Sequence, residues 1–132
     1  MAYLVDTQIL IWILISPDKL TEKVKNVLEN ESIFVSQISF FEIAIKQKLQ
    51  KLPDFDFSIG ELVAIVQRDG FNLLNLQNQH IQAYADIPLL ANHRDPFDRL
   101  LLATAISENM PIISADEHFF AYQPQIQLIA NR

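Results

Sequence analysis

The chain has 132 residues, half of them hydrophobic and a fifth charged. That balance excludes intrinsic disorder and fits a single domain, spanning residues 1–132, that buries roughly two-thirds of its unfolded surface. The absence of cysteine and the presence of only two glycines, Gly60 and Gly70, exclude a disulfide framework, a thiolate metal site and a glycine-rich phosphate loop. Sixteen acidic against ten basic residues leave a net charge of −6, which taken alone argues against nucleic acid, whose phosphates need Lys and Arg.

Tyr3–Val5 predicts a short buried strand, and Thr7–Ile15 a strongly apolar helix that ends at Ser16-Pro17. The apolar run from Ile9 to Ile15 has no basic residue before it and Asp6 interrupts its approach. It therefore reads as neither a signal peptide nor a membrane span, and a soluble cytoplasmic protein is expected. Thr21–Glu29 is amphipathic, with Val24, Val27 and Leu28 on one face. Ser32–Ser36 predicts a second strand and Ser39–Leu49 a helix. Ser58 is placed to cap a helix to Arg68, which Gly70 ends. Phe71–Leu74 predicts a third strand, Gln79–Ala85 a short helix, and Pro96–Glu108 the clearest helix of the chain. Pro111–Ser114 leads into a fourth strand and Gln127–Ile129 suggests a fifth. Short strands alternating with helices define an α/β domain, with a mainly parallel sheet of four or five strands covered on both faces.

In such folds ligands gather at the carboxyl ends of the strands. Asp6 directly follows the first strand and Asp116 follows the fourth within two residues. Asp98 falls in the first turn of the long apolar helix, and Glu42 in the first turn of the helix after the second strand. Each acid also has a capping explanation: Ser39 and Glu42 read as a capping box, and Asp95-Pro96 as a cap with proline at the first helical position. Capping does not explain why apolar segments keep presenting an acid at the same end of the sheet. Carboxylates gathered there repel one another unless they share protons, pair with cations or hold a metal. Oxygen ligands without Cys suit a hard divalent ion, Mg²⁺ or Mn²⁺.

The segments YLVDTQILIW (3–12), SQISFFEIAIKQKLQKL (36–52), HRDPFDRLLLATA (93–105) and ISADEHF (113–119), in this order and spacing, resemble the PIN-domain ribonucleases, and among them the VapC-like toxins of type II toxin–antitoxin pairs. Two departures are visible: Phe41 stands where relatives often carry Trp, and Gln50 where Gly often precedes Lys-Leu. The resemblance implies a PIN-like three-layer fold and an acidic pocket of Asp6, Glu42, Asp98 and Asp116 holding one or two Mg²⁺ or Mn²⁺ ions. It further implies hydrolysis of RNA phosphodiester bonds by a metal-activated water, a cognate antitoxin protein bound in an apolar groove, and a homodimer. Asp6, Asp98 and Asp116 are the expected first ligands, with Glu42 orienting water or completing a second site.

Other residues near these motifs have competing readings. Asp95 is chiefly a helix cap with a supporting role at the site. The Thr7 and Ser114 hydroxyls flank ligand aspartates, either to bond them or to serve as ordinary turn hydroxyls. Arg94 and Arg99 bracket the third motif, either holding phosphates or standing solvated or paired with Asp95 or Asp98. Lys46 lies one helical turn beyond Glu42, to pair with it or face substrate. His80, His93 and His118 show no metal-ligand spacing and are expected at the surface. Trp12, Ile15 and Phe40 are either core or part of the apolar groove, and Phe55 and Phe57 are either part of that groove or, the favoured reading, loop anchors tucked into the core.

Three rivals fare worse or stay undecided. A phosphoacceptor receiver domain needs an acidic pair after the first strand and a lysine near the chain's end, but Asp6 has no acidic neighbour and no lysine follows Lys51. A haloacid-dehalogenase-type phosphatase needs a second Asp where Gln8 stands. A PIN nuclease of RNA processing, without a toxin role, is not separated by sequence. Two bound divalent ions would cancel four of the six excess negative charges, so the acidity no longer excludes RNA.

Overall fold

Every strand of the chain runs in the same direction. The computed structural model describes residues 1–132. β1 (Ala2–Val5), β2 (Ser32–Ser36), β3 (Asn72–Leu74), β4 (Ile112–Ser114) and β5 (Leu128–Ala130) form one parallel sheet in the order β3-β2-β1-β4-β5. β1 is its centre: Val5 stands opposite Val35 on one side and Ile113 on the other. The strand order reverses between β1 and β4, which creates a crevice above their carboxyl ends.

The helices are α1 (Thr7–Ile15), α2 (Glu22–Asn30), α3 (Gln37–Lys48), α4 (Ile59–Arg68), α5 (Asn78–Ala83) and α6 (Pro96–Glu108). Short 3₁₀ turns occupy Pro17–Lys19, Tyr84–Asp86 and Glu117–Tyr122. Strand alternation divides the core in two. Val5, Ile33, Val35 and Ile113 face a cluster with Ile9 and Leu10 of α1, Val24 of α2, and Leu62 and Val66 of α4. Leu4 and Ile112 face the opposite cluster, with Leu101, Leu102 and Ala105 of α6 and with Phe119 and Tyr122. The result is the expected three-layer α/β fold with helices on both faces. α3 gives Phe40 and Ile43 to the first cluster and Ile38 to the second, and its Glu42 and Lys46 border the crevice.

Helix α3 starts earlier than its sequence suggests. Ser36, the last residue of β2, is itself the cap, accepting the Ile38 N–H at 3.2 Å. The expected Ser39–Glu42 capping box is therefore corrected: Ser39 lies inside the helix and Glu42 in its second turn. Strand and helix meet without a connecting loop, so the first hydroxyl available caps the helix and the second is carried inward. The predicted helix at Gln79–Ala85 is likewise split, into α5 and the 3₁₀ turn Tyr84–Asp86. Gly70, at φ 87°, ends α4 as expected. Phe55 is buried and meets Phe57 edge to face at 5.3 Å, anchoring the loop before α4.

Candidate active site

Asp6 leaves β1 and immediately caps α1, its Oδ1 accepting the Ile9 N–H at 2.8 Å. Its Oδ2 accepts the Ser114 hydroxyl at 2.5 Å, across 108 positions of chain. Ser114 Oγ in turn accepts the Asp116 N–H at 3.0 Å. One serine thus ties the carboxyl end of β1 to that of β4 and sets the turn that carries Asp116. Asp116 caps the following 3₁₀ turn through the His118 N–H at 2.9 Å. Asp95 caps α6, accepting the N–H groups of Phe97 (2.8 Å) and Asp98 (3.3 Å). This leaves the Asp98 side chain free of capping in the first turn of the helix.

Glu42 has no capping role at all, because the first turn of α3 is complete before it is reached. Its Oε2 lies 3.6 Å from Lys46 Nζ, whereas its Oε1 is buried without any hydrogen-bond partner. A buried carboxylate oxygen lacking a donor is costly. Asp6, Glu42, Lys46, Asp95, Asp98 and Asp116 line one cleft of about 290 Å³, with Trp12 and Ala115 its apolar liners. A larger hollow of about 840 Å³, bordered by Gln47, Leu52, Phe55 and Glu61, contains none of these acids.

The electrostatics follow from the crowding. Burial pushes the Asp6 carboxyl up to about 7, against the stabilising bonds from Ser114 and Ile9, and the nearby Asp98 and Asp116 charges push the same way. Burial likewise lifts Asp98 to about 6; the His93 bond opposes this, while Asp95 and Glu42 add to it. Asp6, Glu42, Asp98 and Asp116, one of them with an orphaned oxygen and two resisting ionisation, could hold a hard divalent cation, which would relieve the repulsion. Lys46 is the cleft's own cation, paired with Glu42.

Three sequence expectations change here. The histidines are not all at the surface: His80 and His93 are buried. His80 Nδ1 accepts the Gln77 N–H at 3.1 Å and its Nε2 meets Glu108 at 2.7 Å, fastening α5 to α6. His93 Nε2 contacts Asp98, and one ring nitrogen of His93 lies with oxygens of Asp98 and Asp116 inside 4.8 Å of one another. Arg99 neither reaches phosphate nor pairs with an acid. It is buried, donating to Tyr84 Oη and to the carbonyls of Ile87 and Pro88, because α6 packs against that returning segment. The Thr7 hydroxyl donates to Ser39 Oγ at 3.0 Å rather than to an aspartate, joining α1 to α3. Arg94 is exposed. Phe40 is core, Trp12 is half-buried beneath Lys19, and Ile15 is exposed. The signal that could have found His93 is its place in the HRDPFD motif, five residues before Asp98.

The PIN domain family matches over residues 3–123, and the chain belongs to that family. Its fold is shared by VapBC2 from Rickettsia felis, solved with a DNA fragment from its promoter (TM-score 0.68, 19% identity, 98% of each chain covered). It is shared too by VapBC-1 from nontypeable Haemophilus influenzae (0.66, 20%, 98% of each) and by a toxin–antitoxin complex from Klebsiella pneumoniae (0.63, 20%, 98% of each). No curated protein sequence matches the chain.

Proposed function

We propose that this chain is a Mg²⁺- or Mn²⁺-dependent endoribonuclease and the toxin of a type II toxin–antitoxin pair. The observation that carries the nuclease reading is the convergence of Asp6, Glu42, Asp98 and Asp116 on one cleft, with the buried Oε1 of Glu42 unpartnered. Asp6, Asp98 and Asp116 would hold the cation, and Glu42 would complete the site. When bound, the ion supplies positive charge against a phosphoryl oxygen and lowers the pKa of a water.

The protein's own groups do the rest. Ser114 keeps one oxygen of Asp6 fixed while Ile9 N–H fixes the other, so the carboxylate is preset before any ligand arrives. Asp6 and Asp98 must shed protons to serve as ligands, so cation binding releases protons at neutral pH. The Glu42 carboxylate would orient the attacking water or complete a second ion site. Lys46 Nζ, one-third exposed beside it, is the cleft cation able to turn toward a substrate phosphate.

The toxin role is supported by the occurrence of this fold in toxin–antitoxin complexes. The cognate antitoxin would be a small protein covering the apolar surface near Ile15, and the nuclease would act as a homodimer. The decisive test incubates the purified chain with total RNA in Mg²⁺, in Mn²⁺ and in EDTA. Cleavage in the metals alone is expected; cleavage in EDTA, or none anywhere, defeats the mechanism. Growth arrest on expression, relieved by the product of an adjacent small gene, tests the toxin role separately.

A further inference from the structure

The acids of the cleft are backed by an aromatic shell. His93 is buried and its ring is held from three sides: Tyr122 at 5.5 Å edge to face, Phe119 at 5.7 Å, and His118 stacked at 5.3 Å with the planes only 6° apart. Its Nδ1 lies 2.7 Å from the Tyr122 hydroxyl and its Nε2 lies 3.1 Å from Asp98 Oδ2. The Tyr122 hydroxyl therefore engages Nδ1 from the buried side. An ionised Asp98 carboxylate can only accept, so the contact at Nε2 is an N–H directed at Asp98. His118 repeats the arrangement on the next acid, with Nδ1 2.9 Å from Asp116 Oδ1.

We infer that His93, braced by Tyr122, is the positioning residue that aims the Asp98 carboxylate into the cleft, rather than a ligand of the cation. The inference rests on the proposed metal site. With one ring nitrogen engaged by Tyr122 and the other directed at Asp98, the ring has no lone pair facing the cleft. Outer partners of this kind commonly hold metal affinity 10- to 100-fold above the level without them.

The test measures Mn²⁺ affinity by calorimetry without RNA, alongside RNA cleavage. His93→Phe fills the shell without an N–H. It is expected to bind Mn²⁺ at least about tenfold more weakly, with kcat at fixed Mn²⁺ reduced and KM for RNA unchanged. His93→Gln, which returns an N–H toward Asp98, recovers most of the affinity. Tyr122→Phe loses the brace and falls between them; it keeps the proposal testable should His93→Phe not fold. Equal Mn²⁺ affinity in folded His93→Phe or Tyr122→Phe overturns the positioning role while leaving the nuclease reading intact. So does a directly coordinated imidazole nitrogen in the electron-spin-echo spectrum of bound Mn²⁺. Wild-type protein that binds no Mn²⁺ removes the metal site and this role with it.

Discussion

At the scale of single residues, Asp6 carries the strongest tension. Its carboxyl titrates near 7 in the fold and near 3.8 when unfolded. Between these values the folded state retains a proton that the unfolded state releases, so this group's contribution to stability falls as pH rises from about 4 through about 7. Each pKa unit is worth about 1.4 kcal/mol, so the loss amounts to a few kcal/mol. Metal-free Asp6→Asn should therefore match wild type near pH 4 and exceed it increasingly toward pH 8 in denaturant melts. A stability gap independent of pH would mean that Asp6 ionises as freely in the fold as outside it. The same variant, and Asp98→Asn, should lose RNA cleavage while keeping a native circular dichroism spectrum; normal cleavage by Asp98→Asn would sink its assignment. His93 and Arg99 escaped the sequence because their partners are distant in it: Tyr122 lies 29 residues away, and the Ile87 and Pro88 carbonyls lie 12 and 11 residues back. An isolated histidine or arginine gives no local sign of where such partners will fall.

At the scale of elements, local chemistry was far more legible. The five strands, the α1 cap at Asp6, the α6 cap at Asp95 and the Gly70 stop all follow from short-range patterns. The end of α3 shows what such a pattern leaves unresolved. Gln50 adopts φ 58°, the left-handed region that disfavours a side chain, with its neighbour Lys51 N–H closing back on the Lys46 carbonyl at 2.9 Å. Gln50→Gly should raise stability by about 1 kcal/mol in urea unfolding, the relieved strain being only partly offset by the freer unfolded chain. Asp95 tests the cap in the other direction. Asp95→Ala should cost about 1 kcal/mol, whereas Asp95→Ser should restore most of it. Cleavage retained by the serine variant would place Asp95 as a helix cap that the chemistry does not need.

At the scale of the whole molecule, the acid cluster makes the apo fold carry repulsion that a cation would remove. Mg²⁺ or Mn²⁺ at about 100 times its dissociation constant should stabilise the fold by about 2.7 kcal/mol. That gain should appear as a raised thermal midpoint that EDTA reverses, and it should be larger at pH 8 than at pH 5 because Asp6 and Asp98 compete with protons for the ion. A midpoint indifferent to divalent ions would separate the acid cluster from metal binding altogether.

The Ser114–Asp6 bond has a consequence for synthesis on the ribosome. β1 emerges well before β4, and the strand that completes its crevice, and the serine and aspartate that complete its acid set, are more than a hundred residues later. A nascent chain therefore carries an unfinished acid set until β4 has emerged. On the proposed function, cutting power would arrive only once β4 has seated beside β1, which would confine the activity to chains whose fold is already closed.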